Sequence, residues 1–325
     1  MSITLLHGCC QIETTARDLA AVRRFMIAVL GAGPIEQELA KQIRDLFPAG
    51  QYDLDHLDCG EAVFQINQPS AAMSYGGRKS IHWDYLDRLG PCVTNLNFFV
   101  DDQAHARALL ESMGAEIHIE GPSSAVRALG DYGPDNTRAG AGERPFLFMG
   151  SRHLIGLDLE IMEPNFLHFT RQTVQYPAFV QPRPQTGDGN LLLQRLIIGV
   201  NDIEAVHDNL ITLFAPASRS RPYAVRRSKL GTSFRIHLGG IEIEYCQPLT
   251  GRGELAATVA RYGEGVIAIA FAAYDRERVT SQCADRVDMN FDLLGYEQES
   301  GQRIKCRDLL GFDVVIERRI ERSSI

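Results

Sequence analysis

One pattern recurs four times along this chain and limits what it can fold into: a short apolar strand ending in a polar or acidic turn, an amphipathic helix, then two or three strands of alternating polarity. In the first copy, residues 5–12 read as the strand, Thr14 or Thr15 as the helix cap, and residues 18–26 as the helix, which Gly31 and Gly33 end. Residues 62–67 close this copy before Pro69. In the second, strand 93–100 leads through Asp101-Asp102 into helix 103–113, which Gly114 stops; strands 115–119, 146–149 and 157–162 follow. The third has strand 193–200, the turn Asn201-Asp202, helix 203–214 and closing strand 240–245. The fourth opens at 266–271 and closes at 311–317. Between the second and third copies, residues 176–189 are rich in Pro, Gln and Gly, and Pro177, Pro182 and Pro184 disfavour helix and central strand alike. The repeats therefore group as two plus two: an N-terminal unit over 1–170, a linker over 171–189, and a C-terminal unit over 190–325.

Composition narrows the function classes. A chain of 325 residues, 45% hydrophobic and 23% charged, is long enough for two globular units with their own cores. A formal charge of −8 argues against a nucleic-acid partner; the run Arg219, Arg221, Arg226, Arg227 and Lys229 is a local exception that reads as a solvated loop. Seven cysteines without a CxxC pair suit neither a secreted disulfide scaffold nor a zinc ribbon. Residues 1–11 lack a basic-then-apolar leader, and no apolar run approaches the ~18 residues that span a bilayer. The expectation is a cytoplasmic protein with no membrane partner.

Two local motifs sharpen the repeat. Leu5-Leu6-His7-Gly8 places a histidine in the opening strand, and Gly156-Leu157-Asp158-Leu159-Glu160, followed by Pro164, places a glutamate in a closing strand behind a glycine. With four βαβββ copies around them, these motifs resemble the vicinal oxygen chelate superfamily (glyoxalase I, methylmalonyl-CoA epimerase, extradiol dioxygenases, fosfomycin- and bleomycin-resistance proteins) over nearly the whole chain. The resemblance implies an α+β fold in which four βαβββ modules pair into two half-open mixed β barrels with helices outside. It also implies a divalent metal (Fe, Mn, Co, Ni or Zn) held by the first and last strands of paired modules. Carried over position by position, the ligand set is His7, Gln65, Asn95 and Glu160. Asn95 departs from the family's usual histidine. Arg195 stands where the third module would offer a histidine, Ile269 or a neighbour stands at the fourth, and Glu244 and Glu317 sit near closing positions, so the C-terminal unit reads as degenerate and structural.

Strand alternation puts His7, Cys9 and Gln11 on one face, Val63, Gln65 and Asn67 on another, and Asp158, Glu160 and Met162 on a third. If these faces line a barrel mouth, an imidazole, a carboxylate and amide oxygens converge, a donor mixture suited to such metals. Asn95 and Asn97 interrupt an apolar strand at alternate positions and read as lining a wet pocket with Cys9 and Trp83. Residues 75–84 read as a loop holding His82 beside the chain's only tryptophan, with His82 a candidate fourth ligand or general base. The glycine-rich, basic stretch 138–144 reads as an ordinary loop or as a carboxylate- or phosphate-binding one.

The function these readings favour is a metal-dependent isomerase, epimerase or lyase that takes a small oxygenated substrate through a metal-chelated enolate, with His82 and Glu160 as catalytic residues. A ring-cleaving non-heme iron dioxygenase is the second reading. A metal-free small-molecule binding protein of the bleomycin-resistance type is the third. A homodimer in which the halves trade partners stays open.

Overall fold

The computed structural model describes residues 2–6, 11–35, 44, 49–59, 63–75, 78–120, 146–162, 191–214, 226–227, 231–249, 251, 253–273, 275–288 and 301–318. His7, Cys9, the stretch 138–144 and the expected linker lie outside them. The first half runs β1 (Gln11–Thr15), α1 (Leu19–Leu30), β2 (Gly33–Pro34), β3 (Tyr52–Asp58), β4 (Val63–Pro69), a short hairpin of β5 (Ser74–Tyr75) and β6 (Arg78–Lys79), α2 (Ile81–Leu89), β7 (Cys92–Phe99), α3 (Gln103–Ser112), β8 (Glu116–Glu120), β9 (Phe146–Gly150), α4 (Arg152–Ile155) and β10 (Asp158–Met162). The second half repeats the order with β11 (Leu191–Gly199), α5 (Ile203–Phe214), β12 (Arg226–Arg227), β13 (Gly231–Leu238), β14 (Ile241–Pro248), α6 (Glu254–Tyr262), β15 (Gly265–Ala273), α7 (Arg276–Ser281), β16 (Val287–Asp288), β17 (Gln302–Ile304), α8 (Arg307–Leu310) and β18 (Asp313–Arg318).

Each half forms one eight-stranded mixed sheet, and the two have the same topology: β2-β3-β4-β1-β7-β10-β9-β8 and β12-β13-β14-β11-β15-β18-β17-β16. Both are open mixed sheets rather than closed barrels. The period-2 pleat sorts side chains into rows across the first sheet. Phe64, Ile12, Leu96 and Leu159 pair side by side across β4, β1, β7 and β10, each at most 1% exposed. They join Val22 and Met26 of α1 and Ala106 and Leu110 of α3 in one core. Burying each large side chain of such a row stabilises the fold by about 1.5–3 kcal/mol. The rows on either side are polar and point to the opposite face.

Three local readings of the sequence change. The first regular strand is Gln11–Thr15, so Thr14 and Thr15 are strand residues; Asp18 caps α1, its carboxylate accepting the Ala21 N–H at 2.8 Å. Residues 81–84 begin a helix rather than belonging to a loop, because His82, Tyr85 and Leu86 recur at helical spacing and bury one face. Helix α6, between the third and fourth copies, and the long strands β3 and β13 were not anticipated.

The halves meet through glycines in equivalent places. Gly156 (φ +72°) and Gly311 (φ +85°) end α4 and α8 in the left-handed conformation. A Cβ on Gly156 would lie 2.8 Å from Ile198 Cγ2, and one on Gly311 would lie 2.3 Å from the backbone nitrogen of Cys92.

Candidate active site

The polar face of the first sheet is centred on Glu13. In the strand ladder it stands between Gln65 of β4 and Asn95 of β7. Gln11, one step along the same face, pairs with Asn97, which in turn pairs with Glu160 of β10. The side chains join in one network. Asn97 Nδ2 donates to Gln11 Oε1 at 2.7 Å and to Glu13 Oε1 at 3.4 Å. Asn95 Nδ2 donates to Asn97 Oδ1 at 2.7 Å and to Glu160 Oε2 at 3.3 Å. Gln11 Nε2 donates to Gln65 Oε1 at 3.1 Å, where His56 Nε2 also approaches at 3.0 Å. Gln65 Nε2 and the Tyr52 hydroxyl both donate to Asn67 Oδ1. Gln65 and Glu160 are partly exposed whereas Glu13, Asn95 and Asn97 are buried, so the cluster opens to solvent at its Gln65 and Glu160 sides.

Two acids in this dry setting cannot both ionise cheaply. Burial raises the Glu13 carboxyl to about 7, against hydrogen bonds from Asn97 and Asn95 that pull it down. Glu160 is pushed well up, first by burial and then by the Glu13 charge. Both shifts favour the protonated carboxyls. At the cluster's edge, burial lowers His56 to about 4, which keeps its imidazole neutral. His56 Nδ1 and Asn67 Nδ2 are buried and have no hydrogen-bond partner among the described residues.

Of the expected site residues, Gln65, Asn95, Asn97 and Glu160 meet on this face. His82 is buried on α2 with its ring 5.7 Å from Phe148, whose own strand position is beside Glu160. His118 stands edge-on to Phe148 at 5.5 Å. Burial, and then His118, lower His82 to about 4, and its Nδ1 has no partner among the described residues. Trp83 is half-buried on the same helix. Glu13, His56 and Tyr52 were not anticipated. The parity that groups His7, Cys9 and Gln11 carries on to Glu13, so extending the first strand by one residue reveals it.

The second sheet carries a different set at equivalent positions. Ile197 stands between Glu244 and Ala268 where Glu13 stands between Gln65 and Asn95. Ala270 and Val315 replace Asn97 and Glu160, and Arg195 replaces Gln11. Ile197, Ala268, Ala270 and Val315 join Leu255 and Val259 of α6 in an apolar cluster that fills this face. The Arg195 guanidinium ion-pairs with Glu244 (3.1 Å) and with Glu317, and lies 3.6 Å from Glu242.

No family model matches the chain, and no curated protein sequence does. Solved structures do match. A mutant of 4-hydroxymandelate synthase from Streptomyces coelicolor superposes with a TM-score of 0.60 at 14% identity, over 98% of this chain and 95% of the other. A xylose isomerase-like TIM barrel/4-hydroxyphenylpyruvate dioxygenase fusion protein gives 0.54 at 14%, over 100% of this chain and 51% of that one. BphC, a halotolerant catechol dioxygenase, gives 0.51 at 11%, over 98% and 90%. These are vicinal oxygen chelate proteins, and the chain has the vicinal oxygen chelate fold.

Among the described residues no helix is long and apolar enough to cross a membrane, and no three His, Cys, Asp or Glu side chains gather as a metal-ligand cluster. The donors that do gather are two carboxyl groups with amide groups around them. That set fits a hard, oxygen-preferring divalent ion such as Mn(II) or Mg(II), which would displace protons from the carboxyls.

Proposed function

We propose that the chain is an enzyme whose active site is the polar face of the first sheet, and that it acts on a small oxygenated substrate as an isomerase, epimerase or lyase through an enolate. One observation carries this reading: the buried Glu13 and the partly exposed Glu160 are held by the amides of Asn97 and Asn95, with Glu160 at the open side. Glu13 and Glu160 would hold a divalent cation, with Gln65 and Asn95 beside them and His7 a further candidate donor. Bound there, such an ion polarises a substrate's neighbouring oxygens and stabilises negative charge on them.

The chain's own groups supply the rest. Asn95 and Asn97 orient the carboxylates through their amide N–H groups. Glu160, at the open side, is placed to take a proton from a carbon next to a carbonyl. His82, neutral at physiological pH, is the alternative base, facing the same side through Phe148. The C-terminal sheet, filled by α6 and neutralised by Arg195, serves as a structural half. A cytoplasmic location and a small-molecule substrate without nucleic-acid or membrane partners complete the reading.

A ring-cleaving or other dioxygenase is the second reading, supported by two of the superposing structures being dioxygenases. Against it, the cluster's described donors are carboxylates and amides, whereas oxygen activation at iron ordinarily uses two histidines and one carboxylate. One experiment separates the two. The protein, supplied with Mn(II) or Fe(II), is incubated with α-hydroxycarbonyl and 2-oxoacid compounds in deuterated water and with catechols under an oxygen electrode. Deuterium appearing at a substrate carbon, and absent with Glu160→Gln, supports the enolate reading. Fe(II)-dependent oxygen uptake without deuterium exchange replaces it with the dioxygenase.

A further inference from the structure

A narrow, solvent-open cleft with a free volume of about 20 Å³ lies where the halves meet. It is built from equivalent pieces of the two repeats. The end of α2 and start of β7 form one wall, and the end of α6 and start of β15 form the other; Arg152 of α4 and Arg307 of α8 both line it. These arginines open equivalent helices, and each anchors itself on the equivalent strand of its own half. Arg152 Nη2 donates to the carbonyls of Val93 (2.9 Å) and Thr94 (3.1 Å), and Arg307 Nη2 donates to the carbonyl of Ile267. Each also lies over a tyrosine ring, Arg152 over Tyr85 at 5.0 Å and Arg307 over Tyr262 at 5.2 Å.

Their charges are not balanced alike. Arg152 Nε stands 3.8 Å from the buried Asp158 carboxylate, and its Nη1 crosses to the Glu264 carbonyl at 2.9 Å, tying the halves together. The Asp313 carboxylate, which holds the corresponding place beside Arg307, is taken by Arg303, whose Nε donates to it at 2.9 Å. Among the described residues no carboxylate comes within ion-pair distance of the Arg307 guanidinium. Glu264 lines the cleft, but its carboxylate accepts the Asn201 N–H at 2.8 Å. Arg261 adds a third cation over the other contact of the Tyr262 ring, at 5.0 Å. A partly buried guanidinium without a counter-ion is costly unless an anion completes it, and a guanidinium fork matches a carboxylate or phosphate edge.

We propose that this cleft binds a small oxyanion, of the size of a carboxylate or a phosphate, against Arg307, with Arg152 across from it. The anion bridges the two halves by joining side chains that each half holds in place. It is a separate site from the carboxylate pair and does not depend on the function proposed for that pair.

The test is thermal unfolding of the full chain in phosphate, sulfate or acetate against sodium chloride at matched ionic strength. The expected result is a midpoint raised by about 2 °C or more by at least one oxyanion over chloride, saturating with concentration, and lost in Arg307→Gln. A preference for phosphate and sulfate over acetate assigns a tetrahedral ligand, and the reverse assigns a carboxylate. If Arg307→Gln does not fold, line broadening of the phosphate 31P resonance (or of the acetate methyl resonance) by the wild-type protein, reversed by sulfate, decides instead. Equal response to all salts, or a response that survives in Arg307→Gln, overturns the proposal; where that variant does not fold, absence of broadening does so.

Discussion

Glu13 and Glu160 are linked across β7 by two amides, although one acid lies on the first strand of the first module and the other on the last strand of the second. Asn97 Nδ2 donates to Glu13 at 3.4 Å, and Asn95 Nδ2 donates to Asn97 and, at 3.3 Å, to Glu160. Strand β7 supplies Asn95 and Asn97 between them, so the contact exists only when both modules share one sheet. Fold and site are thus the same event here: pairing the modules is what assembles the acids.

That contact sets a pH dependence. Glu13 binds its proton more tightly folded (about 7) than unfolded (4.5), so its contribution to stability is full below about 4.5 and is lost as pH rises through about 7. Glu160 acts in the same direction. Metal-free Glu13→Gln should therefore gain stability relative to the wild-type protein between pH 5 and 8, by up to roughly 3 kcal/mol. Urea unfolding at several pH values checks this; a difference independent of pH would show that the carboxyl is not held protonated.

His82 runs the other way. Its folded affinity for protons is lowered from 6.5 to about 4, so its contribution is full above 6.5 and is lost as pH falls toward 4. The equivalent helix α6 carries Leu255, counted back from Gly263 as His82 is from Gly90, and Leu255 packs in the apolar cluster of its half. His82→Leu should leave the fold intact and flatten the acid side of the stability profile. If His82 is the base, it should also lower turnover by about 10²–10⁴-fold; unchanged turnover would leave proton abstraction to Glu160.

Arg195 tests the structural role of the second sheet. Its guanidinium is 6% exposed and neutralises Glu244, which is fully buried, together with Glu317. Arg195→Met should cost about 3 kcal/mol, since it takes one of the two cations from the fully buried Glu244, leaving Arg235 at 3.1 Å, and removes the ion pair with Glu317. Adding Glu244→Gln and Glu317→Gln should recover much of that loss, which denaturant titration of the single and triple variants would measure.

Gly311→Ala probes the contact between halves. The new Cβ would meet the Pro91–Cys92 peptide at 2.3 Å with φ at +85°, so the backbone must move as well as strain. A fall in the unfolding midpoint of several degrees is expected, for a loss of about 2 kcal/mol or more. Gly50→Ala, also at positive φ but with open space around it, is the control and should cost about 1–2 kcal/mol.

Much of the architecture was legible because two periods dominate the sequence. Residues 203–214 show helical spacing so regular that α5 has those bounds, and the strand read at 93–100 differs from β7 by one residue at each end. The site was half legible. Asn95, Asn97, Gln65 and Glu160 stand out as polar residues at alternate positions in apolar strands, where burial would be costly without partners. Glu13 was hidden because its strand was started at Leu5 and ended at Ile12, one residue short. His56 was hidden because β3 reads Tyr-Asp-Leu-Asp-His-Leu-Asp, whose charges suggest a loop until β4 is placed beside it. The α2 helix was masked by the glycines and basic residues just before it.

The most direct test is Mn(II) binding by calorimetry to the full chain, comparing the wild-type protein with the Glu13→Gln, Glu160→Gln double variant. About one site per chain is expected, with release of protons on binding near pH 7, and with both the site and the proton release lost in the variant. Binding of equal affinity and stoichiometry in the two proteins would contradict it.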